Sequence, residues 1–249
     1  MTKVPILAMV RETYVDLAAD WQGPFRIGVG WLLLAGVVAA LTWSLLADLA
    51  AALVMSLGTV AVAVAWYRHV LEGVPLAGPM APLDRRALCF VWRTVQFMML
   101  GLIVLLVVSV TVFLLSGAPS MERAVDSPLL LSTMTAISFL STGYLGARVQ
   151  LVFPAAAILD GEVGLIRSWR MTSGNGWRVA LGLVPTALPL AATMPLTIYL
   201  SGVADDFGSL VAGTLAAIVS TVGSLMCAAL SASFLARVYR HCREVGATL

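Results

Sequence analysis

Six long stretches without a charged residue are the feature that most constrains the fold of this chain. A helix needs roughly 20 apolar residues to cross the hydrocarbon core of a bilayer, and each stretch approaches or exceeds that length. They cover residues 27–47, 49–67, 94–121, 127–147, 179–204 and 207–236. We therefore place six membrane spans at 27–47, 49–67, 94–116, 127–147, 179–200 and 207–236.

The composition excludes a water-soluble domain. Hydrophobic residues make up 60% of the 249 residues, charged residues make up 11%, and the mean hydropathy is +0.97. Soluble domains carry about 25% charged residues. Backbone groups must be bonded internally in lipid, and the six stretches are too long for barrel strands. The sequence thus predicts an all-α polytopic membrane protein with a single integral domain over residues 1–249.

The basic residues predict the orientation of the spans. All but one lie before span one, between spans two and three, between spans four and five, or after span six, whereas Arg123 alone lies on the other side. Cytoplasmic segments of membrane proteins are enriched in Lys and Arg, so both termini are predicted to be cytoplasmic. The residues on this side are Lys3, Arg11, Arg26, Arg68, Arg85, Arg86, Arg93, Arg148, Arg167, Arg170, Arg178, Arg237, Arg240 and Arg243.

Residues 4–22 form a predicted amphipathic helix that lies at the interface, outside the spans. Its charged residues avoid the apolar face and are net acidic, whereas lipid-binding helices usually carry a basic polar face. Two interpretations stay open: the helix packs on the cytoplasmic surface of the protein or on a partner, or it lies on lipid. The apolar face consists of Ile6, Leu7, Val10, Tyr14, Leu17 and Trp21, and the charged residues are Arg11, Glu12, Asp16 and Asp20.

The stretch RSWRMTSGNGWR, residues 167–178, is the most polar and irregular segment of the chain. Residues 162–173 can form a short interfacial helix before span five, with Glu162 at its positive end and Gly174 at the left-handed position that ends a helix. Its basic and aromatic side chains are candidate contacts for lipid headgroups or for a partner. The competing interpretation is that they only anchor the topology. The candidates are Arg167, Trp169, Arg170, Trp177 and Arg178.

Two further patterns concern the packing of the last two spans. Span six carries a small residue at every fourth position, which lets neighbouring helices approach closely in lipid. Span five contains three prolines that should bend it, either as a functional hinge or as a bend whose freed carbonyls are bonded by neighbours. The small residues are Gly208, Ala212, Ala216, Ser220, Ser224, Ala228, Ala232 and Ala236, and the candidate hinge residues are Pro185, Pro189 and Pro195.

The ends of two spans are similar in sequence. Tyr67, Arg68 and His69 at the end of span two recur as Tyr239, Arg240 and His241 after span six. A true repeat of three helical hairpins would produce this recurrence. The preference of Tyr and Arg for the membrane interface would produce it as well.

The distribution of reactive side chains argues against catalysis and proton-coupled transport. The central halves of the predicted spans contain no Asp, Glu, Lys or His, although such residues usually mark proton relays and ion pathways. The three cysteines, Cys89, Cys227 and Cys242, match no metal-ligand spacing. No carboxylate or histidine lies at membrane depth to activate a serine. We expect no catalytic residue, no metal and no cofactor, and a net charge of +2 gives no reason to expect nucleic-acid binding.

The segment LVFPAAAILDGEVGLIRSWRMTSGNGWRVALGL resembles a group of bacterial six-span proteins. The group includes the YciC-like family and the membrane domain attached to some glycerophosphodiester phosphodiesterases. Its members share a proline-containing end of a span, a short helix with a Ser-Trp pair, and a Thr/Ser-x-Gly-Asn break. The corresponding residues here are Pro154, Ser168, Trp169, Thr172, Gly174 and Asn175. The resemblance implies a multi-pass protein of the bacterial inner membrane, and it supports the architecture more than any activity.

These observations lead to two hypotheses on function. The first is a non-catalytic inner-membrane protein that acts as an accessory, assembly or scaffold subunit of a complex or organises lipids. Its expected partners are membrane lipids, anionic ones included, and another membrane protein or a second copy of the chain. The second hypothesis is a small transporter or channel for a neutral or amphipathic solute, which would use the bent span five.

Overall fold

A computed structural model describes residues 3–41, 45–76, 78–116 and 128–247 of the chain. Within these ranges all regular structure is helical and no strand occurs, which confirms the predicted all-α class. The helices are α1 (Ile6–Ala19), α2 (Gly23–Leu41), α3 (Leu45–Glu72), α4 (Arg85–Ser116), α5 (Pro128–Val149), α6 (Val152–Ala157), α7 (Leu165–Met171), α8 (Gly176–Thr186), α9 (Leu188–Phe207) and α10 (Leu210–Ala247).

Several of these helices have the length and apolar character that a membrane crossing requires. In the described part of the chain they lie at Ala52–Glu72 in α3, Arg85–Thr111 in α4 and Val211–Val245 in α10. Helices α8 and α9 make a further candidate if they form one span, which is then bent by 43°. The apolar part of α2, Gly23–Ala35, is shorter. The six-span layout and the cytoplasmic position of the termini stay predictions.

The long helices pack mainly on their neighbours in sequence. Helix α2 packs on α3, α4 packs on α5, and α9 packs on α10. Helix α10 is central, because it also contacts α1, α2, α3, α6, α7 and α8. The pair of α4 and α5 joins this centre through α3 and through the short helices α6, α7 and α8.

One end of the bundle collects the buried core and the basic residues. We term it the basal end; it comprises α1, α6 and α7, the C-terminal ends of α3, α5 and α10, and the N-terminal ends of α2, α4 and α8. All fourteen basic residues of the predicted cytoplasmic side lie in these elements or beside them. Away from this end packing is looser, since the most apolar window of α4 and the whole of α9 contain no buried residue. The buried core includes Trp66, Tyr67, Phe90, Leu151, Phe234 and Tyr239.

Helix α1 docks on the basal end with most of its predicted apolar face, since Leu17 is buried in the core and Ile6, Val10 and Tyr14 pack against it. Its buried residues are Met9, Thr13 and Leu17. Leu7 and Trp21, which the sequence places on the apolar face, are 87% and 55% exposed. The helix is also shorter than the predicted range of 4–22, because it begins after Pro5 and ends at Ala19. The predicted face is therefore wrong at these two positions.

Ion pairs with α10 explain why α1 is turned about its axis relative to the predicted orientation. Arg237 of α10 pairs with both Glu12 and Asp16 of α1, which brings the acidic side of α1 against the bundle. A prediction that buries the most apolar side of a helix takes no account of such ion pairs. The contacts of α1 with α8 and α10 agree with the interpretation in which this helix packs on the protein itself.

The bend expected in span five lies between α8 and α9, at Ala187. Pro185 lies inside α8, Pro189 opens α9, and Pro195 lies inside α9. Because proline has no N–H, Pro189 leaves the carbonyl of Pro185, four residues earlier, without its helical donor. The hydroxyl of Tyr14 in α1 donates to this carbonyl at 2.6 Å. A neighbouring helix therefore bonds the freed carbonyl, as is common for bent membrane helices.

Removal of the Tyr14 hydroxyl should destabilise the bend. Burial, and to a smaller extent the nearby Cys227, raises the pKa of Tyr14 above its ordinary value, so the phenol keeps its proton and stays a donor. We expect Tyr14→Phe to lower the free energy of unfolding by about 1–3 kcal/mol, because a carbonyl loses its partner. Tyr199→Phe is the matched control, since Tyr199 is 67% exposed. Thermal unfolding in detergent measures both, and equal losses would contradict the role of Tyr14.

Candidate functional site

A buried arginine anchors the C-terminal end of α5. Arg148 is 8% exposed, and its guanidinium donates to the Thr172 hydroxyl at 3.0 Å, the Tyr144 hydroxyl at 3.0 Å and the Trp169 carbonyl at 2.7 Å. The guanidinium carbon lies 4.0 Å from the centre of the Trp169 ring, which is a cation–π distance. All these partners are uncharged, so the arrangement serves packing rather than ion pairing.

The same segment also holds the backbone of Arg148. The Ser168 hydroxyl donates to the Arg148 carbonyl at 3.0 Å, and the Thr172 hydroxyl lies at the same distance from it. Helix α5 ends at Val149, and the last four carbonyls of a helix have no partner within it. Ser168 and Thr172, one helical turn apart, thus complete the end of α5. We term Tyr144, Arg148, Ser168, Trp169 and Thr172 the arginine socket.

Two glycines shape the chain around the arginine socket. Gly174 has a φ of +74° and ends the turn after α7 in the left-handed region, as predicted. A Cβ on Gly176 would lie 2.5 Å from Cδ of Arg148 and 2.9 Å from Cε2 of Tyr144, so no larger residue fits there. The next residue, Trp177, stacks on the Tyr144 ring with the centroids 4.8 Å apart.

The beginning of the chain is fixed to the start of α8. Asn175 Oδ1 accepts a hydrogen bond from the Val4 amide at 3.3 Å, and Arg178 Nη1 donates to the Val4 carbonyl at 3.4 Å. The sequence groups Arg178 with Arg167 and Arg170 as candidate headgroup contacts. The structure instead directs its guanidinium to this backbone carbonyl.

A cleft of about 1000 Å³ opens at the basal end, and we term it the arginine cleft. Four arginines from three separate helices line it: Arg93 of α4, Arg167 and Arg170 of α7, and Arg243 of α10. One carboxylate, that of Glu162, is part of its lining. The other lining residues are mostly apolar, namely Val4, Val163, Leu165, Ile166, Met171 and Val245 with the glycines 161 and 164.

The arginines of the arginine cleft differ in how they are held. Arg167 pairs with Glu162 at 2.9 Å, and Arg243 pairs with the nearly buried carboxylate of Asp160 at 3.1 Å. The guanidinium of Arg170 is exposed, and among the residues that the structure describes it has no ion pair or hydrogen bond. Arg170 is therefore the most available cation of the cleft.

A second cleft of about 610 Å³ continues from the arginine cleft, and we term it the side cleft. Arg93 and Gly161 line both. Among the described residues, Arg93 donates only to the neighbouring Gln96 side chain. Large apolar side chains that stay exposed line the side cleft, together with Arg85, Arg93 and the nearly buried carboxylate of Asp160, which Arg243 neutralises. Positive charge therefore borders apolar surface here. The apolar side chains are Leu88, Trp92 and Leu159.

Two further polar residues of α10, His241 and Cys242, line the arginine cleft. Nε2 of His241 is buried and has no hydrogen-bond partner in the described ranges. Within those same ranges, no three His, Cys, Asp or Glu side chains come close enough together to hold a metal ion. The chemical character of the cleft is therefore set by its arginines.

The structure does not bring the five predicted contact residues together: Arg178 bonds the Val4 carbonyl, and the other four divide between two places. Arg167 and Arg170 line the arginine cleft, whereas Trp169 belongs to the arginine socket and Trp177 covers Tyr144. Two arginines of the cleft, Arg93 and Arg243, are absent from the predicted contact residues because α4 and α10 bring them in from distant parts of the chain. The one sequence signal for Arg93 is its position directly before the third uncharged stretch, residues 94–121, with apolar residues on its other side as well.

The predicted stripe of small residues does not form one continuous seam. Gly208 lies outside α10, in the left-handed region with a φ of +60°, and Ser224 is exposed. A position outside the stripe approaches α9 closely: a Cβ on Gly223 would lie 2.1 Å from Oγ1 of Thr193. The remaining residues are buried at both ends of the stripe and partly buried between; they are Ala212, Ala216, Ser220, Ala228, Ala232 and Ala236.

A larger residue at position 176 should disrupt the arginine socket. We expect Gly176→Ala to lower the free energy of unfolding by about 1–3 kcal/mol, because the new methyl group overpacks against Arg148, which its hydrogen bonds hold in place. Gly143→Ala on α5 is the matched control. A Cβ there meets no atom within 4 Å, and alanine favours a helix interior by roughly 0.5–1 kcal/mol. We expect the unfolding midpoint to fall for Gly176→Ala and to rise slightly for Gly143→Ala. If Gly176→Ala did not lower the midpoint, this packing would be contradicted.

Comparison with known proteins assigns no family to the chain. No family model matches it, and no characterised protein or solved structure is significantly similar to it. The resemblance to the YciC-like proteins stays a prediction, and the function has to be inferred from the site itself.

Proposed function

We propose that the chain is a non-catalytic component of the bacterial inner membrane that organises anionic lipids or supports a membrane complex at its basal end. The observation that carries this proposal is the arginine cleft, in which four arginines from three helices meet beside exposed apolar side chains. In the proposed topology the basal end lies in the cytoplasmic headgroup layer, where arginines attract anionic lipids.

The chemistry of arginine supports binding rather than catalysis. Arginine does not give up its proton in proteins, so the guanidinium groups supply fixed positive charge and no general base. Other arginines at the basal end serve the fold: Arg148 holds α5 to α7, Arg237 holds α1 to α10, and Arg178 holds the Val4 backbone. Transport by way of the bent span gains no support from the bend, because Tyr14 bonds the freed Pro185 carbonyl.

The proposed topology can be tested at the C-terminus. A reporter that fluoresces only after folding in the cytoplasm should be bright when fused after residue 249, because α10 ends at the basal end. A phosphatase that is active only outside the cytoplasm should be inactive at the same position. The reverse pattern would contradict the cytoplasmic basal end.

Reconstitution separates lipid organisation from solute transport. Liposomes that contain the full chain should leak small neutral solutes, such as glycerol, no faster than empty liposomes. Lipid that co-purifies with the protein in mild detergent should contain a larger fraction of anionic phospholipid than the bulk membrane does. Solute flux above the empty-liposome rate, or carried lipid with the composition of the bulk membrane, would overturn the proposed function.

A further inference from the structure

We propose that the arginine cleft binds the phosphate group of an anionic phospholipid, with the adjoining acyl chain along the side cleft. This inference rests on the proposed function and specifies its ligand and its binding residues. The shared lining of the two clefts by Arg93 and Gly161 makes one continuous surface with a cationic part and an apolar part.

The charge at the arginine cleft favours an anion. Glu162 and Asp160 offset Arg167 and Arg243, whereas no carboxylate among the described residues pairs with Arg93 or Arg170. Two positive charges are thus left to a ligand. A guanidinium group can donate two parallel hydrogen bonds to phosphate oxygens, and basic pockets between membrane helices on the cytoplasmic side bind phospholipid headgroups.

The apolar surface favours a lipid over a soluble phosphate compound. Leu88, Trp92 and Leu159 are 67%, 61% and 42% exposed where they line the side cleft. A free phosphate ion would leave these side chains in contact with water, whereas an acyl chain would cover them. Trp92 lies near the start of α4, and tryptophan is enriched at the depth of the headgroups.

His241 lines the arginine cleft but does not offer its unpartnered nitrogen to it. Buried polar atoms normally have a hydrogen-bond partner, yet Nε2 of His241 has none within the described chain although the residue lines the arginine cleft. Because this nitrogen has no exposed surface, the arginines of the cleft and not His241 would contact the headgroup.

Native mass spectrometry of the full chain in mild detergent tests the inference. Phosphatidylglycerol and phosphatidylcholine are titrated separately, and we expect tighter binding of phosphatidylglycerol. Arg170→Gln should weaken that binding about fivefold, since one basic residue near a membrane surface contributes on this scale, and Arg93→Gln with Arg170→Gln about 25-fold. Arg11→Gln is the matched control, because Arg11 is an exposed arginine on α1 outside the cleft, and it should bind like the wild type.

The possible outcomes distinguish the cleft assignment from the proposed function. Equal binding of phosphatidylglycerol to the wild type, the double variant and Arg11→Gln would overturn the cleft assignment, while a wild-type preference over phosphatidylcholine would leave the proposed function standing. No preference in the wild type would overturn both. Inorganic phosphate at millimolar concentration should not displace the bound lipid, and full displacement would overturn the lipid in favour of a free phosphate. Unchanged thermal unfolding of Arg170→Gln, whose side chain is exposed, confirms that the fold is intact.

Discussion

The burial of the Arg148 guanidinium is the interaction on which the basal end depends. Removing a charge from water costs several kcal/mol, and here hydrogen bonds from α5 and α7 and the Trp169 ring offset that cost. The same contact fixes α7 about its axis. Once Ser168 and Thr172 face α5, the 100° step of the helix turns Arg167 and Arg170 to another side, where the arginine cleft lies. The arginine socket thus determines on which side of α7 the cleft lies.

The excess of arginine over lysine has a structural reason at several positions. The chain carries fourteen Arg and one Lys, and the structure shows what the guanidinium groups do. Arginines join segments far apart in sequence by donating to backbone carbonyls, and a planar group with five donors suits this task better than an ammonium ion. The arginines that do so are Arg26, Arg86, Arg148, Arg178 and Arg240. Residues whose charge predicts the orientation of the spans therefore also set tertiary structure by their shape.

Patterns within one helix are predictable from this sequence, whereas contacts between helices are not. Apolar periodicity and the positions of glycine and proline predict the helical class, the left-handed Gly174 and the bend near Pro189, because each is a local property of the backbone. The predicted face of α1 holds for four of its six residues, but the contact of its acidic side with Arg237 is not predictable because Arg237 lies more than 200 residues away in sequence. Arg93 and Arg243 are missed for the same reason. The Ser168–Thr172 spacing signals a shared helical face, but it does not reveal that Arg148 lies opposite.

The concentration of specific contacts at the basal end follows from the physics of helices in lipid. Inside the hydrocarbon core no hydrophobic force drives helices together, because acyl chains are as apolar as leucine, and the most apolar window of α4 indeed buries no residue. In the proposed topology the basal end lies at the headgroup level, where hydrogen bonds, ion pairs and partial burial from water act together. Examples of such contacts are the hydrogen bond from Trp66 to Ser233 at 2.8 Å, Arg148 in the arginine socket, and the ion pairs of Arg237 with α1. The basal end therefore determines how the helices are arranged, and the apolar segments beyond it are left to pack against their partners in the hairpins and against lipid. A lipid site placed at this same end would be coupled to the contacts that hold the whole bundle together.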